Sequence, residues 1–251
     1  MKPILEICAA DIDSVLAAAA GGADRIELCC ALSEGGLTPS IGMIEEALRV
    51  PGIKVNVLIR PRAGDFVYSE PEILTMLRDI ETCTNLGVNG VVLGALTPDG
   101  NIDVGNCRRM VNAAKGIHLT FHRAFDICRD PQLATRQIID LGFDRVLTSG
   151  QSRNALSGAQ LIQKLVNEFP EITFIAASGI NPDNVSEIMD LTETEEIHAS
   201  AKTLIHSSMT YRNDDVCMGA DDKDEYSRST TSEKTVRIIA DIVHSKSNRQ
   251  T

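Results

Sequence analysis

The feature that most constrains this chain is an alternation repeated eight times along 251 residues. Short apolar, β-branched runs recur at 4–8, 25–29, 54–60, 90–94, 117–122, 144–149, 172–177 and 196–200, and segments with helical spacing separate them. A doubly wound sheet usually uses about five or six strands. Eight strand–helix units in a chain of this length predict a closed (β/α)8 barrel of the TIM type. Residues 1–246 read as one barrel domain and 247–251 as a flexible tail. One element breaks the rhythm. The segment 201–229, between the eighth strand and the eighth helix, is long, polar and rich in Ser, Asp and Met. Loops of that length often act as lids or binding segments.

Helix boundaries carry their own chemistry. Asp130-Pro131 and Asn181-Pro182 place a capping side chain before a proline at the first helical position. Ser69 with Glu72, and Thr230 with Glu233, fit the capping box. Ile73, Leu77, Ile80 and Leu86 form an apolar stripe on the third helix, and Val104, Cys107, Val111 and Ala114 form one on the fourth.

The net charge of −11 argues against nucleic acid and anionic membrane surfaces as partners. No apolar run approaches the roughly 20 residues of a membrane span, and Met1-Lys2-Pro3 leads directly into the first strand without a leader-like segment. The seven cysteines are odd in number and lack a framework spacing. They read as reduced thiols in a cytoplasmic protein.

Side chains alternate along a strand, so one face of each run must pack on the helices and the other must enter the barrel. The second face is unusually polar. It carries Glu6, Arg25, Glu27, Asn56, Arg60, His118, Thr120, His122, Thr148 and His198. Buried charges must pair, hydrate or surround a ligand. In barrels of this kind the functional mouth lies where the strands end. The first two strands both finish in Glu-x-Cys, which places Cys8 beside Cys29 at the mouth, with Glu6 and Glu27 one layer beneath. Two adjacent thiolates suit a soft monovalent ion such as Cu(I). Zinc would need more donors, for which His122 or His198 is available.

Longer motifs carry a resemblance. The stretch from Gly22 to Cys29, then Glu34-Gly35-Gly36-Leu37-Thr38-Pro39-Ser40, resembles the copper homeostasis protein CutC family. So do Ile59-Arg60-Pro61-Arg62-Ala63-Gly64-Asp65-Phe66-Val67-Tyr68, Thr120-Phe121-His122-Arg123-Ala124-Phe125-Asp126 and Leu147-Thr148-Ser149-Gly150. The resemblance implies a TIM barrel, a cytoplasmic setting, a homo-oligomer and a role in copper handling. It implies no particular reaction.

Two functional readings stay open. In the first, Cys8 and Cys29 bind Cu(I), and Met209, Cys217 and Met218 on the long loop are soft atoms within reach of the same end of the barrel. In the second, the mouth is an enzyme site for a small anionic metabolite, with no nucleotide cofactor. Glu6 and Glu27 then serve as an acid–base pair, because mutual repulsion raises one pKa. His122 with Asp126 forms a second proton-transfer pair. Arg60 and Arg62 clamp a carboxylate or phosphate, helped by Thr148, Ser149 and Gly150 after the sixth strand and by Ser178, Gly179 and His198. A pure interaction module is the third class; no exposed apolar helix face in the sequence identifies its interface.

Overall fold

The computed structural model describes residues 2–213, 215, 216, 218 and 224–246. Eight parallel strands close into a barrel in sequence order. They are β1 Ile4–Ala9, β2 Arg25–Leu28, β3 Lys54–Leu58, β4 Gly90–Leu93, β5 His118–Phe121, β6 Arg145–Thr148, β7 Thr173–Ala177 and β8 Glu196–Ala199. The outer ring consists of α1 Ile12–Ala20, α2 Ile41–Leu48, α3 Glu70–Leu86, α4 Val104–Ala113, α5 Pro131–Leu141, α6 Ala159–Glu168, α7 Val185–Thr192 and α8 Glu233–Ser245. Each expected strand is present, with ends shifted by a residue or two. The proposed tail, 247–251, lies outside the described residues.

The main core lies between the sheet and the helices. Leu5 and Ile7 of β1, Ile26 and Leu28 of β2, and Val55 and Val57 of β3 are all buried in it. They meet Val15, Ile44, Ile73 and Val236 from the helices. That assignment commits the alternate residues of each strand to the barrel axis.

Helix starts follow local capping. Asp130 accepts from the backbone N–H groups of Gln132 and Leu133 ahead of α5, and Ser69 and Glu72 form the expected capping box on α3. Two expected caps differ. The α7 helix begins at Val185, because Asn181 and Asn184 first satisfy the turn N–H groups of Asp183 and Asn181. Thr230 belongs to a strand, and Ser232 caps α8 by accepting from Thr235 N–H. The apolar stripe of α3 buries Ile73, Met76, Ile80 and Cys83, with Leu77 and Leu86 only partly covered.

The long segment after β8 is not a plain loop. It contains an antiparallel hairpin of β9 Lys202–His206 and β10 Ser227–Thr231. Its Ser14–Thr230 and Arg228–Asp11 contacts tie it to the start of α1.

Barrel closure changes the expected layers. The shear pairs Glu6 with Arg25, and Cys8 with Glu27. The two glutamates therefore occupy different layers rather than one. Two residues expected inside the barrel are not there. His118, the first residue of β5, sits exposed on the lower rim with its Nδ1 3.4 Å from Asp144. Thr148 turns away from the axis and donates to Asp126 at 2.6 Å, while its neighbour Leu147 lines the mouth cavity.

Candidate functional site

The lower half of the barrel axis holds an ionic network. Arg25 donates through Nε to Glu6 and through Nη2 to Glu196. Arg145 reaches the same Glu196 at 3.2 Å. Glu6 also holds Nδ1 of His198 at 2.8 Å. Burial alone would raise the Glu6 pKa, but the Arg25 charge and the His198 hydrogen bond outweigh it and hold the carboxyl at about 2. Arg25, and not Arg60 or Arg62, is the counter-charge of this layer. Glu196 and Arg145 went unassigned in the sequence reading, although Glu196 shares the inward alternation of His198.

Above this network opens a cavity of about 630 Å³ at the strand ends. Cys8, Glu27, Arg60, His122 and His198 line it, and Ser178 and Gly179 form part of its rim. Cys8 Sγ and Cys29 Sγ lie 3.6 Å apart, with Cys29 fully buried behind Cys8. Nε2 of His198 is 3.7 Å from Glu27 Oε2. The donor atoms of Cys8, Glu27 and His198 all lie within 4.8 Å of one another.

Electrostatics separate these groups. Burial pushes the Glu27 carboxyl up, and the Glu6 charge adds to that against an opposing contribution from His198. Burial disfavours the imidazolium of His198, but hydrogen bonds to Cys8 and Glu6 and the charges of both glutamates raise its pKa well above the ordinary value. The Cys8 thiol is pushed well up by its hydrogen bond to Cys29 and by burial. The mouth therefore contains a protonated Cys8 thiol beside the His198 imidazolium, which the Glu6 carboxylate holds from below.

His122 owes its position to Gly94, where a Cβ would stand 2.9 Å from the imidazole Nδ1 and 2.8 Å from Phe121 Cζ. The ring packs against Phe66, with centroids 4.7 Å apart. It is buried and held neutral, with a pKa of about 3, first by desolvation and then by the Arg60 charge.

Several expected residues are not available to a ligand. Asp126 does not pair with His122. Its carboxylate accepts from Thr148 Oγ1, Ser149 N and Oγ, Gln151 N and Arg123 Nε. The backbone N–H groups of Ser149 and Gln151 after β6 are thus filled by a side chain of the chain itself. Gly150 N–H donates to Thr148 Oγ1. Arg62 is directed away from the cavity and is paired with Glu72 and Asp65. Met209 and Met218 are exposed and stand away from the cavity lining, and Cys217 lies outside the described residues. Conversely, Phe66, Arg123 and Lys202 line the cavity without having been singled out.

Fold and site together define a (β/α)8 barrel with a thiol, imidazole and carboxylate cluster at its mouth. The CutC family model matches residues 3–203, and the chain belongs to the CutC family. A CutC family protein of Parabacteroides distasonis is 49% identical over 222 residues, covering 88% of this chain and 91% of that protein. One from Bacteroides thetaiotaomicron is 46% identical over 241 residues, covering 94% and 97%. A solved structure described as a candidate copper homeostasis protein CutC, from Streptococcus agalactiae, superposes with a TM-score of 0.75 at 33% identity. It covers 78% of this chain and 97% of that one. A thiamine phosphate pyrophosphorylase from Pyrococcus furiosus shares the barrel alone, at TM-score 0.60 and 16% identity.

Proposed function

We propose that this protein is a cytoplasmic copper-handling protein that takes Cu(I) as cargo at the barrel mouth, with Cys8 and Cys29 as its ligands. The observation that carries the reading is the 3.6 Å separation of the two sulfurs, Cys8 at the cavity wall and Cys29 buried behind it. Thiolate–metal bonds to zinc are about 2.3 Å long. On that scale both sulfurs can reach one ion, but only in a bent arrangement that leaves a side open for a third donor. His198, once it gives up its proton, is the nitrogen candidate, since it belongs to the same cluster as Cys8. Soft sulfur donors select a monovalent copper ion over hard cations. The family's association with copper, through the relative from Streptococcus agalactiae, points the same way.

The test is an anaerobic titration against a competing Cu(I) chelator. The wild-type chain is expected to take up one ion. The Cys8→Ser, Cys29→Ser double variant is expected to lose that uptake while keeping its circular dichroism and melting transition. Uptake by the folded double variant at the wild-type level would overturn the ligand assignment.

A further inference from the structure

Arg60 differs from the other arginines of the barrel. It is 6% exposed. Its Nη1 donates to the carbonyls of Glu34 and Gly36, and its Nη2 to the carbonyl of Gly64. Among the described residues no carboxylate pairs with it, whereas Arg25 lies between two glutamates and Arg145 rests on Glu196. Three neutral carbonyls fix the orientation of the guanidinium without cancelling its charge. Its Nε is buried and makes no hydrogen bond, although the Tyr68 hydroxyl, also buried and unpartnered, stands near the guanidinium. A buried cation with an unused donor is strongly unfavourable unless an anion completes it.

His122 presents a matching group. Its Nδ1 accepts the backbone N–H of Ala124 at 3.2 Å. A ring nitrogen that accepts carries no proton, so the single proton of the neutral imidazole resides on Nε2. That Nε2–H is also buried and without a partner. Both side chains pack against the ring of Phe66. Its ring centroid is 5.1 Å from Arg60 Cζ and 4.7 Å from the His122 ring. All three residues line the same cavity of about 630 Å³, a volume suited to a small metabolite rather than a lone ion.

Two unpartnered donors, one of them cationic, beside one aromatic face call for a planar anion that only accepts. A carboxylate has that character. The backbone N–H groups of Ser149 and Gln151 after β6 already bind Asp126 and are not free to cradle a phosphate group. We propose that the mouth cavity binds a small organic carboxylate, which accepts from Arg60 Nε–H and His122 Nε2–H with its carbon skeleton against Phe66. Lys202 adds positive charge at the cavity wall, where Arg123 is paired with Asp126. The site goes beyond the copper reading and uses none of Cys8, Cys29 or His198.

The experiment titrates the full chain with sodium pyruvate, succinate and benzoate at constant ionic strength, with sodium chloride and sodium phosphate as comparisons. Calorimetry reads affinity, and proton–nitrogen correlation spectra read the arginine Nε–H signals. At least one carboxylate should bind saturably and move one arginine Nε–H signal, assigned by its loss in Arg60→Lys. His122→Phe should weaken that binding by about tenfold or more, the cost of one hydrogen bond to a charged group. The Cys8→Ser, Cys29→Ser variant should bind the carboxylate as the wild type does, whatever its copper uptake. Should Arg60→Lys fail to fold, the assignment passes to perturbation of the same signal by His122→Phe. Absence of saturable binding for all three carboxylates overturns the proposal. So does binding unaffected by His122→Phe, or phosphate binding equal to that of the best carboxylate.

Discussion

The substitution Glu6→Gln tests the ionic network on which the mouth is built. Glu6 is 2% exposed in its side chain and accepts from both Arg25 and His198. Its carboxyl holds a proton only below about pH 2, against an ordinary 4.5. That difference stabilises the anion in the folded state by about 3 kcal/mol. The neutral amide keeps the shape of the side chain but gives up the charge. Arg25 retains Glu196, so the loss should stay near this figure rather than reach the upper range for a broken buried pair. For a chain of this size it corresponds to a melting temperature lowered by about 6–12 °C at neutral pH. The sign with pH follows from the depressed pKa. The contribution is fully present above the unfolded value near 4.5 and is lost as the pH falls toward 2. Thermal melts of wild type and variant from pH 7 downward should therefore converge. A melting temperature lowered by less than about 2 °C at pH 7, or a gap that does not narrow toward about pH 3, would refute the reasoning.

Two further outcomes follow from the site. Asp126→Asn removes the charge that collects the hydroxyls of Thr148 and Ser149 and the N–H groups of Ser149 and Gln151. It should destabilise the chain by about 2–3 kcal/mol in urea melts and leave Cu(I) stoichiometry unchanged; loss of copper uptake by the folded variant would contradict a purely structural role. Cu(I) binding should tighten as pH rises, because the Cys8 thiol and the His198 imidazolium, both pushed up, must shed protons to act as donors. Chelator competition at two pH values checks this, and a pH-independent affinity would exclude a Cys8 thiolate from the site.

The eightfold rhythm of the sequence was enough to predict the barrel, because packing between sheet and helices imposes the alternation on every strand. Ile4–Ala9 and Arg25–Leu28 are each legible alone. Their register is not, because shear is a property of the closed ring: it put Glu27 beside Cys8, where a flat sheet would have put it beside Glu6. The same limit hid the role of Asp126. Nothing local in Arg123–Ile127 announces that its carboxylate will fill the N–H groups after β6. The hairpin of Lys202–His206 and Ser227–Thr231 was missed because its strands are polar and mostly exposed, so no apolar period marks them. Arg60 and Arg62 look interchangeable in the sequence. Alternation sends Arg60 into the cavity, while Arg62 is taken by Glu72 and Asp65.

The division of charge along the barrel axis separates what holds the fold from what is left for function. Below the mouth, Glu6, Glu196, Arg25 and Arg145 largely neutralise one another, and such a network supplies orientation more than net stability. Its output upward is a fixed imidazolium at His198, since Glu6 both aims Nδ1 and favours the proton. Above that level the pairing stops. Cys8 bonds both Cys29 and His198, Glu27 carries a raised pKa, and Arg60 and His122 each keep a donor without an acceptor. Unpartnered groups occur lower down too, at Arg145 Nη1 and the Asn56 amide, but among these buried groups only Arg60 and His122 line the mouth cavity. The unspent groups fall into two sets on either side of one cavity, sulfur and imidazole toward β1, β2 and β8, guanidinium and neutral imidazole toward β3 and β5. That arrangement fits a site where a soft cation and an organic anion are held side by side.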